Sequence, residues 1–238
     1  MKAIPAIDLR EGACVQLVGG SYEDERVRLP DPVAQAVRFR DAGFTHLHVV
    51  DLDAATGRGS NRAVVLDLLR VPGLAVQIGG GIRTKEDADA LLEGGADAIV
   101  VGTRALEDRP FLEDLARAHP QRVVIALDVR GREVVTRGWS AGSGREVEGV
   151  LDDVAALPLR GALVTAVHVE GSLAGVDEAL YRDLVQRSTL PIIASGGVGA
   201  MRDLELLAAA GCAAVVIGMA IYSGAVDVDV VARKYGVS

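Results

Sequence analysis

The segment Ala6-Ile7-Asp8-Leu9-Arg10 returns as Ala126-Leu127-Asp128-Val129-Arg130, an offset of 120 residues in a chain of 238. A chain that repeats itself over half its length has to fold as two similar halves. Each copy is a short apolar run ending in an aspartate, the pattern of a buried strand that delivers one carboxylate to a rim. The echo continues downstream: Gln77-Ile78-Gly79-Gly80-Gly81-Ile82 is matched by Ile193-Ala194-Ser195-Gly196-Gly197-Val198, and Val100-Val101-Gly102-Thr103 by Val216-Ile217-Gly218-Met219. Gly80 and Gly102 are separated by the same interval as Gly196 and Gly218, so the three matches share one order and one spacing.

Short runs of Val, Ile, Leu and Ala alternate with amphipathic stretches, the rhythm of a parallel sheet buried on both faces. Strands are expected near residues 3–8, 46–51, 74–78, 97–101, 122–128, 162–167, 191–194 and 213–217. Helices fit near 31–43, 60–69, 84–93, 110–118, 146–156, 177–188, 200–210 and 226–235. Asp31-Pro32 and Thr84 are start signals, and Gly43, Gly94-Gly95 and Gly211 are stop signals. Eight βα units with a half-chain repeat predict an α/β fold, a (β/α)8 barrel forming a single domain over 1–238, with half-barrels of about 1–120 and 121–238.

Composition narrows the partners. The formal charge of −8 excludes a duplex-binding surface, which needs clustered Lys and Arg, so no nucleic-acid partner is expected. A phosphorylated small molecule remains compatible, because backbone amides and one or two arginines hold an anion inside an acidic protein. Cys14 and Cys212 are expected as reduced structural thiols, and His46, His48, His119 and His168 lack metal-ligand spacing, so neither a metal nor a cofactor is inferred. No secretory leader or membrane span is read from the sequence; a cytoplasmic monomer is expected.

In this architecture the working groups sit after the strands, on the C-terminal face. Asp8 and Asp128 end strands one and five, diametrically opposed across the mouth, which suits acid–base chemistry. A structural bridge to Arg10 or Arg130 is the alternative for either residue alone. The glycines after strands three, four, seven and eight let the backbone approach a ligand and form anion-binding concavities, one cup in each half. Two cups predict a long substrate carrying two phosphates. Trp139, the only tryptophan, follows a β excursion over 133–136 and is placed to stack on a planar ligand or to pack in the core. Arg83, beside the first cup, is placed for phosphate or for a surface ion pair.

These residues resemble a known family. Ala6-Ile7-Asp8-Leu9, His48-Val49-Val50-Asp51-Leu52-Asp53, Gly79-Gly80-Gly81-Ile82-Arg83, Gly138-Trp139 and Ala194-Ser195-Gly196-Gly197-Val198 together resemble the histidine-biosynthesis isomerases that act on phosphoribosylformimino-aminoimidazole carboxamide ribotide, over the whole chain. The resemblance implies an Amadori rearrangement of an aminoaldose to an aminoketose. By position it implies Asp8 as base, Asp128 as acid and Thr165 as a third catalytic residue. Its phosphate cups correspond to Gly80, Gly81, Gly102 and Thr103 in one half, and to Gly196, Gly197, Gly218 and Met219 in the other.

Three departures stand out against that family: Gln16 where Arg or Lys is usual, Ala166 after the strand-six threonine, and Glu170-Gly171-Ser172 for Asp-Gly-Thr, with Gly171 kept as a substrate-loop residue. A bifunctional branch that also isomerises phosphoribosylanthranilate is suggested by Asp51 to Asn61 and by Arg137, and Gln16 tells against it. The sister cyclase, and a catalytically silent phosphosugar-binding barrel, are the remaining alternatives.

Overall fold

The computed structural model describes residues 1–136, 138–139 and 141–237. In chain order its strands are β1 (Lys2–Arg10), β2 (Ala13–Leu17), β3 (Glu25–Leu29), β4 (His46–Asp51), β5 (Ala75–Gly79), β6 (Ala98–Val101), β7 (Val123–Arg130), β8 (Glu133–Thr136), β9 (Ala141–Glu146), β10 (Gly161–Ala166), β11 (Ile192–Ser195) and β12 (Ala214–Ile217). The helices are α1 (Pro32–Ala42), α2 (Leu52–Thr56), α3 (Arg62–Leu69), α4 (Lys85–Glu93), α5 (Thr103–Glu107), α6 (Arg109–Ala118), α7 (Val147–Val154), α8 (Glu178–Arg187), α9 (Met201–Ala210), α10 (Met219–Tyr222) and α11 (Val228–Tyr235).

Strands β1, β4, β5, β6, β7, β10, β11 and β12 pair in that order, each parallel to the next, and β12 returns to β1. The fold is a (β/α)8 barrel. Closure places a helix layer outside and packed side chains inside every strand, so β6 and β12 are buried at every position. Alternate residues Ile4 and Ala6, Ala98 and Val100, Val124, Leu163, Ile193, Ala214 and Val216 form one apolar cluster within the ring. A larger cluster joins the opposite face of the strands to the helices.

Helix boundaries follow from local chemistry. Asp31 accepts the Ala34 amide while Pro32 opens α1, and Gly43 closes it in the left-handed region at φ 112°. Asp87 accepts the amides of Arg83 and Thr84 at the start of α4. Its counterpart Asp203 accepts those of Gly199 and Ala200 at the start of α9. The same carboxylate thus ties down the chain just beyond each glycine pair.

Both halves also carry an unforeseen match. The hairpin excursion expected at 133–136 is there as β8, which pairs with β7 and β9. An equivalent pair, β2 and β3, follows β1, and Asp8 faces Val15 as Asp128 faces Val135. The repeat therefore extends through the loops after strands one and five.

The barrel interior is not wholly apolar. His48 on β4 and Gln77 on β5 are buried side by side, with His48 Nδ1 and Gln77 Nε2 2.9 Å apart. Burial pushes the His48 imidazole down to about 4. Because that value lies below the ordinary 6.5, its contribution is complete above pH 6.5 and is lost as the pH falls towards 4. The expected loss is about 3 kcal/mol at 1.36 kcal/mol per pH unit. Urea unfolding of wild type and His48→Gln between pH 7.5 and 4 checks this: the stability difference between them should shrink steadily on acidification, and a constant difference would disprove it.

Candidate active site

Asp8 and Asp128 stand at the same face on β1 and β7, four strands apart in the ring of eight. Neither is tied to its neighbouring arginine. Arg10 bonds Glu25 at 3.0 Å, and Arg130 donates to the Trp139 carbonyl at 3.3 Å. Burial pushes the Asp8 carboxyl up to about 7. Burial also raises Asp128, while hydrogen bonds from Trp139 and Thr165 pull in the other direction. Thr165 is the register partner of Asp128 on the adjacent strand β10, which brings its hydroxyl alongside. Gln16, buried on β2, donates its amide to Asp8 Oδ2 at 3.4 Å and to the Val15 carbonyl at 2.9 Å.

Glu170, in the loop after β10, adds a third carboxylate. Burial raises it to about 7, reinforced by the charges of Asp8 and Asp128, and its Oε2 is buried with no hydrogen-bond partner among the described residues. Three carboxylates sharing one desolvated mouth resist simultaneous ionisation, so protons are held there near neutral pH. Reading the sequence singled out Glu170 and Gln16 only as departures from the family pattern. Their positions after strands were visible; their convergence on Asp8 was not.

The glycine cups repeat in backbone angle as well as in sequence. Gly80 and Gly196 have φ 98° and 94°, and Gly81 and Gly197 have 72° and 84°. Gly102 and Gly218 adopt nearly identical angles, φ −112° with ψ −109° and φ −106° with ψ −102°, outside the strand and helix regions that side chains favour. A Cβ at Gly80 would lie 2.3 Å from the Asp51 carbonyl oxygen, and one at Gly197 2.3 Å from that of Gly175. Only glycine fits these positions. Thr103 and Met219 open the short helices α5 and α10, whose first amides face the rim beside each cup. Glycine turns leading to helix starts are shaped for anions.

Three loops interlock above the mouth. The Trp139 ring lies against Gly20, where a Cβ would come within 2.7 Å of the indole. Gly171 packs so tightly on the Leu17-Val18-Gly19 backbone that a Cβ would sit 3.0 Å from it. Trp139 therefore belongs to the rim, bonded to Asp128, and is not a core residue. Its φ of 69° is a left-handed conformation that a bulky side chain seldom adopts. The Arg83 guanidinium donates to the carbonyls of Ala54 and Ala55 at 3.0 and 3.2 Å, which holds it beside the first cup. Arg137 lies outside the described residues.

The base of the first hairpin is also pinned. Asp51, Asp53 and Asn61 are buried together; Asn61 bonds both aspartates, and the turn amides of Glu11 and Gly12 donate to Asp53 and Asn61 at 2.7 Å each. All four histidines are engaged, His46 with Lys2, His48 with Gln77, His119 with Asp89 and His168 with Asp177. A groove of about 460 Å3, lined in part by Leu106, Arg109, Val150 and Asp153, opens on the outer wall and holds none of these residues.

Opposed, desolvated carboxylates flanked by twinned glycine cups at the C-terminal face mark the chain as a (β/α)8-barrel enzyme, the class that carries its working groups there. The chain belongs to the histidine biosynthesis protein family, whose profile matches residues 2–227. It is 54% identical to a Myxococcus xanthus protein over 99% of each chain, and 49% identical to one from Gemmatimonas aurantiaca over 99% of this chain and 100% of that one. A Haloarcula marismortui protein is 41% identical over 100% of this chain and 97% of its own. All three relatives are named as the 1-(5-phosphoribosyl)-5-((5-phosphoribosylamino)methylideneamino) imidazole-4-carboxamide isomerase.

Proposed function

We propose that this chain is an aldose–ketose isomerase that performs the Amadori rearrangement of that bisphosphorylated aminoaldose. The observation that carries the reading is the pair of desolvated aspartates facing each other between two backbone-matched glycine cups. Each cup takes one terminal phosphate through backbone amides and a helix start, which suspends the reacting ribose across the mouth.

Proton traffic then follows from position. Asp128 donates a proton to the ring oxygen as the C1–O bond breaks, and the exocyclic nitrogen supplies the electron pair that forms the C1=N bond. Asp8 removes the C2 proton, and those electrons form the C1=C2 bond of an enolamine while the imine nitrogen recovers its pair. Return of a proton to C1 and loss of the C2 hydroxyl proton give the ketose, so the reaction is a net isomerisation. Thr165 and Trp139 hold Asp128 in place by hydrogen bonds. Buried carboxylates of raised pKa suit such transfers near neutral pH.

Incubating the purified chain with the aminoaldose and following aminoketose formation tests the assignment. Turnover supports it, and absence of turnover by folded protein refutes it. The rate is expected to rise through about pH 7 as Asp8 becomes ionised in the free enzyme, so kcat/KM should have an acidic limb there. A parallel assay with phosphoribosylanthranilate distinguishes the bifunctional alternative, for which the neutral Gln16 amide offers no cation to pair with a carboxylate substrate.

We infer further that the enzyme works as a cytoplasmic monomer on a free small molecule. The biosynthetic family supports the location, and a barrel whose helices cover its own core supports the monomer.

A further inference from the structure

We propose that Gln16 is a positioning residue for Asp8, its side-chain amide bracing the carboxylate against Gly218 at the second glycine cup. The inference rests on Asp8 acting as the proton-transfer group. Gln16 is almost wholly buried at 4% exposure, although it is a long polar side chain in a strand next to the mouth. Its amide nitrogen reaches Asp8 Oδ2 and the Val15 carbonyl, and its oxygen is turned to Gly218, where a Cβ would stand 2.4 Å from it. One side chain therefore spans the interval between the carboxylate on β1 and the backbone that opens α10. The absence of a side chain at Gly218 is what makes room for it.

The Val15 bond fixes the amide plane, which leaves the second N–H aimed at Asp8. At 3.4 Å that contact is long, and ionisation of Asp8 strengthens it. The other groups facing Asp8 all oppose its charge or leave it unpaired. Glu170 from the loop after β10 repels it, and the Cys14 thiol on β2 and the Tyr222 phenol on α10 lie close enough to feel it. Asp128 lies across the mouth and acts on the same Glu170. Among these neighbours Gln16 is the donor that favours the ionised carboxylate and sets its direction.

The test uses Gln16→Met, which keeps length and removes the amide, and Gly218→Ala, whose methyl would stand 2.4 Å from the Gln16 oxygen and displace it; because φ −106° with ψ −102° also strains an alanine backbone, this variant is read on the pH limb and not on stability. In Gln16→Met, kcat should fall about tenfold, the cost of losing one hydrogen bond to a charged group, with KM little changed. The acidic limb of the pH profile should move upward by about half a unit or more, because loss of a donor to the ionised form raises a carboxyl. Gly218→Ala should move the limb in the same direction, and adding it to Gln16→Met should move it no further. An unmoved limb in both single variants overturns the proposal. Asp8→Asn serves as the reference: if it keeps wild-type turnover, both the Asp8 reading and this one fall, whereas its inactivation beside unaltered Gln16→Met removes only the role of Gln16.

Discussion

Asp8→Asn should reduce kcat by about a thousandfold, within the range of general acid–base contributions, and Asp128→Asn should do the same. The two variants should bind substrate nearly as well as wild type, because the glycine cups proposed to take the phosphates are built from other residues. Stability should move in the opposite direction to activity. The Asp8 carboxyl is raised to about 7 by burial, from an unfolded value of 3.8. A raised pKa means that its folded state is best supported below 3.8, and that stability is lost as the pH rises towards 7. Above pH 7 the cost of the ionised group is about 4 kcal/mol at 1.36 kcal/mol per pH unit. An asparagine still needs hydrogen-bond partners, so the net gain should be roughly half of that. Thermal melts of Asp8→Asn and wild type should therefore separate widely at pH 8 and much less at pH 5. Equal melting temperatures at pH 8 would show that Asp8 is not strained by burial, and unchanged kcat in both variants would remove the acid–base assignment.

Gly80→Ala and Gly197→Ala should rank with the most damaging small substitutions among the described residues. Each would force a Cβ to 2.3 Å from a backbone carbonyl oxygen, at φ 98° and 84° respectively. The left-handed strain alone costs about 1–2 kcal/mol, and the carbonyls of Asp51 and Gly175 cannot retreat without moving their loops. A total loss of about 3 kcal/mol or more is expected for each. KM should rise about tenfold in both if the cups take the phosphates as proposed, since a displaced cup would lose those contacts. Gly12 and Gly131 provide the contrast. They share the positive φ, at 78° and 61°, but nothing lies within 4 Å of an added Cβ. Alanine there should cost only about 1 kcal/mol and leave KM unchanged. Urea unfolding with steady-state kinetics on all four variants checks the comparison; equal losses at Gly80 and Gly12 would mean that the close approach carries no energy.

Much of the scaffold was legible because its signals are local. The eight expected strands and eight principal helices all occur within a residue or two of their predicted bounds, since Val/Ile runs, Asp31, Thr84 and Gly43 act on their own neighbourhoods. What escaped were the elements over the mouth: the β2–β3 hairpin, β9, and the short helices α2, α5 and α10. The run Glu25 to Leu29 alternates between exposed and half-buried positions and offers no apolar period. Helices of four or five residues carry too few turns to leave a pattern. Arg83 shows the same limit at the level of one side chain, because its acceptors at Ala54 and Ala55 belong to a helix that periodicity does not reveal.

The sequence by itself determined the doubling, the carboxylate at the end of each first strand, and glycine at the positions where each half turns back on itself. These follow from covalent order and from the conformational freedom of glycine, which need no partner elsewhere in the chain. The opposition of Asp8 and Asp128 followed from the strand count once a barrel was expected, but it is realised only when the ring closes from β12 onto β1. Closure also removes water from the mouth, raises Asp8, Asp128 and Glu170 together, and lays Trp139 on Gly20 and Gln16 against Gly218. Desolvation and contact are properties of neighbours distant in the chain, so they come into being only when the two halves are packed into one barrel.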